Sequence, residues 1–343
     1  MNQTSHLVTV VLPVRNEGNH IRAALDGVLA QDYPLEYMEI LVVDGMSTDH
    51  TRETIKAFQL KHANIKLIDN PGKIVPTGMN IALQRAKGDI IIRVDGHCVV
   101  APDYVQKCVE HLEKDGVDGV GGPMETMGED ALARTIAVAM SSSFGVGNSA
   151  FRTISGKTML ADTVPFPAYT RSMIQKAGLY DEELVRNQDD EYNYRIRELG
   201  GKLLLAKDVR SKYFSRGTLA KLFRQYFQYG FYKVRVLQKH PRQMSPRQFV
   251  PPLFVLSLVI AILQTILANW GWVILAAVAG SYLIANFAAS LVSAAKKGWR
   301  HLSLLPVVFA TLHCSYGLGF LAGLIKFWNR WGDKTGKVPP INK

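Results

Sequence analysis

Residues 7–17 read LVTVVLPVRNE, and this stretch decides the fold. A largely apolar run from Leu7 to Val14 stops abruptly at Arg15, Asn16 and Glu17. A short apolar run bounded by polar residues is the pattern of a strand buried on both faces. The pattern repeats along the chain. Helical spacing over Asn19–Gln31 is followed by a strand at Met38–Asp44 and a helix at Thr48–Leu60. A strand at Ile65–Asp69, a helix near Val75–Ala86 and a strand at Asp89–Val94 come next. This order predicts an α/β fold with a mainly parallel central sheet and right-handed crossovers. Ligands bind such sheets beyond the carboxyl ends of the strands. Polar residues collect at those ends: Arg15-Asn16-Glu17, Asp44-Gly45-Met46-Ser47 and Asp95-Gly96-His97.

Of 343 residues, 48% are hydrophobic and 20% charged, which excludes a disordered chain. The three cysteines (Cys98, Cys108, Cys314) fit neither a disulfide framework nor a zinc motif. No basic segment and apolar run open the chain, so no cleavable signal peptide is expected and the thiols are expected to be reduced. The net charge of +11 is unevenly placed: Val209 to Gly332 holds 15 Lys and Arg and no acid. No GxxxxGK[ST] phosphate loop is present, and Gly145-Val146-Gly147 lacks a preceding strand, so a dinucleotide fold is not expected.

The C-terminal third belongs in a bilayer. Gln248 to Ala295 is a run of 48 residues without charge, enough for two spans of about 20 residues each. Trp270 and Trp272 suit an interface at the break. Leu302 to Ile325 is a second uncharged run, again long enough to span. Before them, Arg216 to Arg247 interleaves Lys221, Arg224, Lys233, Arg235, Lys239 and Arg242 with aromatic residues. This reads as one or two helices lying on anionic headgroups, or as an ordinary amphipathic helix. Its abutment to the spans argues for the membrane as partner and against nucleic acid. The positive-inside rule puts this segment and Lys296–Arg300 in the cytoplasm. Three complete crossings would then put the basic tail (Lys326, Arg330, Lys334, Lys337) outside. Either the rule fails at the last helix, or one apolar segment is re-entrant or interfacial.

Two clusters carry chemistry. Residues i and i+2 of an extended segment point the same way, so Asp95 and His97 are able to share one divalent ion, Mn²⁺ or Mg²⁺. The same triplet also fits a surface turn. Asn187-Gln188-Asp189-Asp190-Glu191 opens a helical pattern, where acids are favoured by the dipole alone. Alternatively, one of these carboxylates is a general base.

Together these segments resemble a family 2 glycosyltransferase of the GT-A fold, from about Leu7 to Lys233. The resemblance is carried by residues 11–17 and 42–49, by Asn70-Pro71-Gly72-Lys73 to Asn80, and by Lys87-Gly88-Asp89 and Asp95-Gly96-His97. Residues 164–169, 178–183 and Gln188-Asp189-Asp190-Glu191 with Arg195 continue it. The C-terminal spans and Arg224-Gln225-Tyr226 resemble membrane-attached transferases of succinoglycan-type exopolysaccharide assembly. The resemblance implies that Pro13, Arg15 and Glu17 line the nucleotide pocket, that Asp44 binds the base, and that Lys73 and Asn80 border the nucleotide and ribose. Asp95 stands near the ribose or the metal, and His97 near the metal, in place of the family's second DxD aspartate. Asp189, or Asp190 beside it, is the implied base. Arg216 or Arg224 is a further candidate for the diphosphate or acceptor. The QxxRW motif of processive synthases is absent.

The expected organisation is a GT-A domain over 1–215, a basic interfacial segment over 216–247, a membrane region over 248–327 and a basic tail over 328–343. The expected activity is inverting transfer of one sugar from a nucleoside diphosphate sugar, a UDP-sugar, to a lipid-linked polyprenyl acceptor at the inner membrane, with the catalytic domain facing the cytoplasm. The alternatives are a polyprenyl-phosphate sugar synthase and a non-catalytic membrane scaffold.

Overall fold

The computed structural model describes residues 6–147, 149–153, 156–215, 217–268 and 270–341. The chain forms two units. The first comprises residues 1–125, 154–213 and 336–343, and the second residues 126–153 and 214–335.

The first unit opens as the sequence predicts: Val8–Val14 (β1), Ile21–Leu29 (α1), Met38–Asp44 (β2), Thr51–Gln59 (α2), Ile65–Asp69 (β3), Val75–Arg85 (α3) and Ile90–Arg93 (β4). Every residue of β1 and β2 is buried, which explains their unbroken apolar runs. Cys98–Val100 (β5), Tyr104–Lys114 (α4), Gly119–Gly121 (β6) and Met124–Met127 (β7) follow.

The chain then enters the second unit with Ala131–Met140 (α5), Ser143–Val146 (α6) and Ala150–Thr153 (α7), and returns to the first with Met159–Leu160 (β8), Ala168–Thr170 (β9), Arg171–Ala177 (α8), Gln188–Glu198 (α9), Leu203–Leu205 (β10) and Ser211–Phe214 (β11). The main sheet has the order β3-β2-β1-β4-β9-β6-β10-β8. Strands β3, β2, β1 and β4 pair in parallel, as do β6 and β10, whereas β9 and β8 run antiparallel to their neighbours. The sheet is thus mixed with mostly parallel strands.

The second unit is helical: besides α5–α7 it holds Leu219–Lys239 (α10), Val250–Leu267 (α11), Gly271–Lys297 (α12) and Leu305–Lys326 (α13). Among the described residues, three helices are long and apolar enough to cross a membrane: Pro246–Leu267, Gly271–Lys297 and Leu305–Lys326. Within the basic segment, Leu219–Lys239 forms one continuous helix, capped at Thr218, whose hydroxyl accepts from the Lys221 N–H at 3.2 Å. Lys221 and Arg224 are exposed on it, but Lys233, Arg235 and Lys239 are buried. Among the described residues, the exposed cations of the segment are thus Lys221 and Arg224 near its start and Arg242 and Arg247 near its end.

The inward cations follow from what α10 packs on. Arg235, with no exposed surface, donates to Gln238 Oε1 at 2.6 Å and to the carbonyls of Arg330 and Asp333 at 3.4 Å. Glycines let the α10 and α13 backbones touch: a Cβ on Gly230 would lie 2.1 Å from Tyr316 O, and one on Gly319 2.0 Å from Phe227 O. Ile136, Ala139 and Met140 of α5 join Leu222 and Tyr226 of α10 and Leu305, Val308, Phe309 and Leu312 of α13 in one apolar cluster. His313 is paired at both ring nitrogens, with Phe144 O at 2.8 Å and the Tyr282 hydroxyl at 3.0 Å, so it locks α6 and α12 to α13.

Candidate active site

Loops beyond the carboxyl ends of β1, β2 and β3 are laced together. The Asn16 N–H donates to Ser47 Oγ (2.8 Å), the Thr48 N–H to Asn16 Oδ1 (2.9 Å), the Glu17 N–H to Thr51 Oγ1 (2.8 Å) and the Gly18 N–H to Asp49 Oδ2 (3.0 Å). Short polar side chains thereby satisfy a tight backbone that no ladder serves. Asn16, Met46 and Lys73, one in each loop, all have left-handed φ (55°, 56° and 60°), as does Asn187 at the start of α9 (62°). Such conformations cost non-glycine residues energy and cluster at binding sites.

Asp44 ends β2 fully buried. Its carboxylate accepts from the Ser47 hydroxyl (2.5 Å), the Ser47 N–H (3.0 Å) and Arg52 (2.6 Å); Arg52 also reaches Asp69 at 2.7 Å. Arg15 packs over Gly45 and reaches the Lys73 carbonyl at 3.4 Å. The Arg15 and Lys73 side chains are exposed at the rim. Pro13 lies beneath, beside Gly78 of α3. Asn80 is buried and its amide is fully used: Oδ1 accepts from the Tyr180 N–H (2.7 Å), while Nδ2 donates to Tyr180 O and Glu182 Oε1 (both 2.9 Å). It anchors the 180–182 loop.

The Asp95-Gly96-His97 triplet is built from both sides. Arg93, 7% exposed, donates to both Asp95 oxygens at 2.8 and 3.2 Å. His97 Nδ1 pairs with Glu17 Oε1 at 2.9 Å. A Cβ on Gly96 would meet Glu17 Cγ at 2.9 Å, so glycine is what lets Glu17 reach under the triplet. Burial works against the Asp95 charge, but Arg93 and His97 outweigh it and hold the carboxyl below its ordinary range; Arg186 adds to this. Burial likewise opposes the Arg93 charge, and Asp95, Asp189 and Tyr180 overcome it, so Arg93 stays protonated.

The donor set suits a divalent ion. A carboxylate on Nδ1, with the other ring nitrogen left to a metal, is the usual arrangement behind a metal-binding histidine. Asp95 retains lone pairs beyond those that Arg93 uses. No group of three or more such ligands occurs among the described residues, so two protein ligands would leave most positions to a ligand's oxygens.

Asp189 and Asp190 lie half-buried in the first turn of α9, with the Asp190 N–H donating to Asp189 Oδ1 at 2.9 Å. Glu191, the third acid of the run, is buried and bound to Arg195 at 3.0 and 2.8 Å. Arg195 also donates to the carbonyls of Ala177 and Leu179, making this pair part of the scaffold. The first unit thus holds Pro13, Arg15, Glu17, Asp44, Lys73, Asn80, Asp95, His97, Asp189 and Asp190. Arg224 belongs to the second unit, and Arg216 lies outside the described residues. Arg93 and Arg186 were missed. The spacing that paired Asp95 with His97 also points Arg93, two residues earlier, towards Asp95.

The Glycosyl transferase family 2 profile matches residues 9–181. The succinoglycan biosynthesis protein ExoA of Rhizobium meliloti (strain 1021) is 28% identical over 95% of this chain and 98% of its own length. A dolichyl N-acetyl-α-D-glucosaminyl phosphate 3-β-D-2,3-diacetamido-2,3-dideoxy-β-D-glucuronosyltransferase of Methanococcus voltae is 27% identical over 94% and 98%. Among solved structures, the mannosyltransferase PcManGT from Pyrobaculum calidifontis, in complex with GDP-Man and Mn²⁺, superposes with a TM-score of 0.59 at 20% identity, covering 94% of this chain and 88% of its own. The profile takes in β1–β4, the laced loops and the Asp95–His97 triplet, and the chain belongs to glycosyltransferase family 2, with a GT-A-like fold.

Proposed function

We propose that this glycosyltransferase moves one sugar, with inversion, from a nucleoside diphosphate sugar to a lipid-linked acceptor in exopolysaccharide or glycolipid assembly. The carrying observation is the Asp95-Gly96-His97 triplet built from both sides, with Arg93 on both Asp95 oxygens and Glu17 on His97 Nδ1.

Arg15 and Lys73 at the rim receive the nucleotide, and Asp44 offers its remaining lone pairs to the base. Asp95 and His97 hold a divalent ion, Mn²⁺ or Mg²⁺, which when bound supplies positive charge to the leaving diphosphate. Asp189 accepts the proton of the acceptor hydroxyl as that oxygen attacks the anomeric carbon. One displacement inverts the centre, and Arg93 keeps Asp95 ionised throughout. Arg216 and Arg224 remain candidates for the diphosphate or the acceptor.

The lipid-linked acceptor is supported by the three apolar helices and by the name of the Methanococcus voltae relative. A polyprenyl tail resists leaving the bilayer, at about 0.8 kcal/mol per buried CH₂. UDP-sugars are the first donors to test, and the inner membrane with a cytoplasm-facing catalytic domain is the proposed location, from the basic flanks of the apolar helices.

The test is nucleotide release from UDP-, GDP- and dTDP-sugars by detergent-purified protein, with Mn²⁺, Mg²⁺ or chelator, alongside Asp95→Ala. Metal-dependent turnover of one donor, lost in the variant, is expected. Absence of nucleotide binding under every condition would overturn the proposal in favour of a membrane scaffold.

A further inference from the structure

The chain leaves the first unit after Tyr213 and re-enters it at Gly336. Its last described residues are bonded into that unit. The Lys337 N–H donates to Asp181 Oδ1 at 2.8 Å, the Glu182 N–H to Lys337 O at 2.9 Å, and Gln84 Nε2 to Pro340 O at 3.3 Å. Both points therefore share one aqueous compartment, and the chain between them crosses a bilayer an even number of times. Three apolar helices of spanning length lie on that path, so they do not all cross.

Packing within the second unit identifies the exception. Helices α10 and α13 run side by side in the same direction. Phe227 meets Gly319, Phe231 meets Gly323 and Phe327, and Gln238 donates to Phe327 O at 2.7 Å. Two parallel helices in such continuous contact lie at one depth, so α13 crosses only if α10 does. If both crossed in the same direction, just one of α11 and α12 would cross back, giving three crossings, an odd number. Crossing would also take Lys221, Arg224, Lys233, Arg235 and Lys239 of α10 through hydrocarbon, where each cation costs about 2.5–3.5 kcal/mol at the centre.

We propose that α10 and α13 lie along the headgroup layer as a two-helix plank, and that α11 and α12 alone cross, as a hairpin with its Trp270–Trp272 turn on the opposite side. The exposure of the helices agrees: 44% of the apolar window of α13 is buried within the protein, against 17% and 11% for α11 and α12. The exposed residues of α13 include Val307, Leu318 and Ile325, an apolar strip suited to dipping into the upper acyl region. Lys296, Lys297 and Arg300, just after α12, and the basic tail all fall on the side of the first unit, which removes the conflict with the positive-inside rule.

The test uses the full chain in sealed membrane vesicles, with one cysteine at a time added to a Cys314→Ser background that keeps the buried Cys98 and Cys108, and a membrane-impermeant maleimide. Lys61→Cys reports the first unit, Trp272→Cys the hairpin turn and Lys334→Cys the residues after α13. The unsubstituted background corrects for Cys98 and Cys108. Lys61→Cys and Lys334→Cys are expected to label from one face and Trp272→Cys from the other, with Arg300→Cys, between α12 and α13, on the face of Lys61→Cys. Arg300→Cys on the face of Trp272→Cys would overturn the proposal, because α13 rather than α12 would then cross back. Labelling of Lys334→Cys together with Trp272→Cys would overturn the proposal, because α13 would then cross. Labelling of all four from one face would overturn it too, because the hairpin would not. A variant that fails to reach the membrane is replaced by Trp270→Cys or Gly332→Cys, which report the same two places.

Discussion

His97 Nδ1 lies 2.9 Å from Glu17 Oε1, joining the loop after β1 to the loop after β4 across 80 residues of sequence. The contact orients the imidazole, and under the proposed function Nε2 is the nitrogen that meets the cation. Glu17→Gln is expected to weaken metal affinity about 10–100-fold, the usual cost of losing the carboxylate behind a ligating histidine. A Mn²⁺ titration of nucleotide release reads this as a raised activation constant with little change at saturating metal. An unchanged constant would assign Glu17 a purely structural role.

Asp189→Asn is expected to slow transfer to acceptor about 10²–10⁴-fold, the range for loss of a general base. Donor binding, measured by calorimetry, is expected to persist. Asp190→Asn is expected to be milder. The reverse ranking would move the base by one residue along α9.

Gly319 is one of the glycines at which α13 meets the α10 backbone. A methyl group there meets the Phe227 carbonyl at 2.0 Å, and a backbone atom cannot rotate away. Gly319→Ala is therefore expected to destabilise the second unit by about 1–3 kcal/mol, as overpacking does. A lowered midpoint in detergent melts checks it.

His111 bridges Asp115 (2.6 Å) and Asp208 (3.0 Å). Burial pulls its pKa down, but the two carboxylates outweigh this and raise it above the ordinary value; burial opposes, and His111 overcomes, the matching depression at Asp208. The stabilisation is thus complete below about pH 6.5, the unfolded value, and fades as pH rises through the raised folded value. His111→Asn is expected to lower the melting midpoint clearly at pH 6 and less at pH 9. The effect is that of a partly exposed pair, about 0.2–1 kcal/mol.

Truncation after Thr335 removes the strand of contacts from Lys337 and Pro340 to Asp181, Glu182 and Gln84. The 180–182 loop, which Asn80 holds from the other side, leads into the turn before Asp189. The truncated chain is expected to keep its membrane attachment and to lose donor turnover several-fold. Turnover equal to that of the full chain would show that the tail does not order this loop.

The amino-acid sequence by itself determined the order of strands and helices from β1 to β4, the polar strand ends, and the three apolar helices. All of these are local: burial on both faces of β1 and β2 writes itself as an apolar run, and a span writes itself as uncharged length. Only the tertiary structure decided the partners. Glu17 with His97, Asn80 with Tyr180, and Arg235 with the Arg330 and Asp333 carbonyls are each separated by 80 residues or more. The charge pattern of α10 suggested a wetted face, yet Lys233, Arg235 and Lys239 turn inward because the glycines of α13 draw the two backbones together. Periodicity records how buried a residue is; which distant residue buries it is set by how the crossovers and the returning tail close the chain.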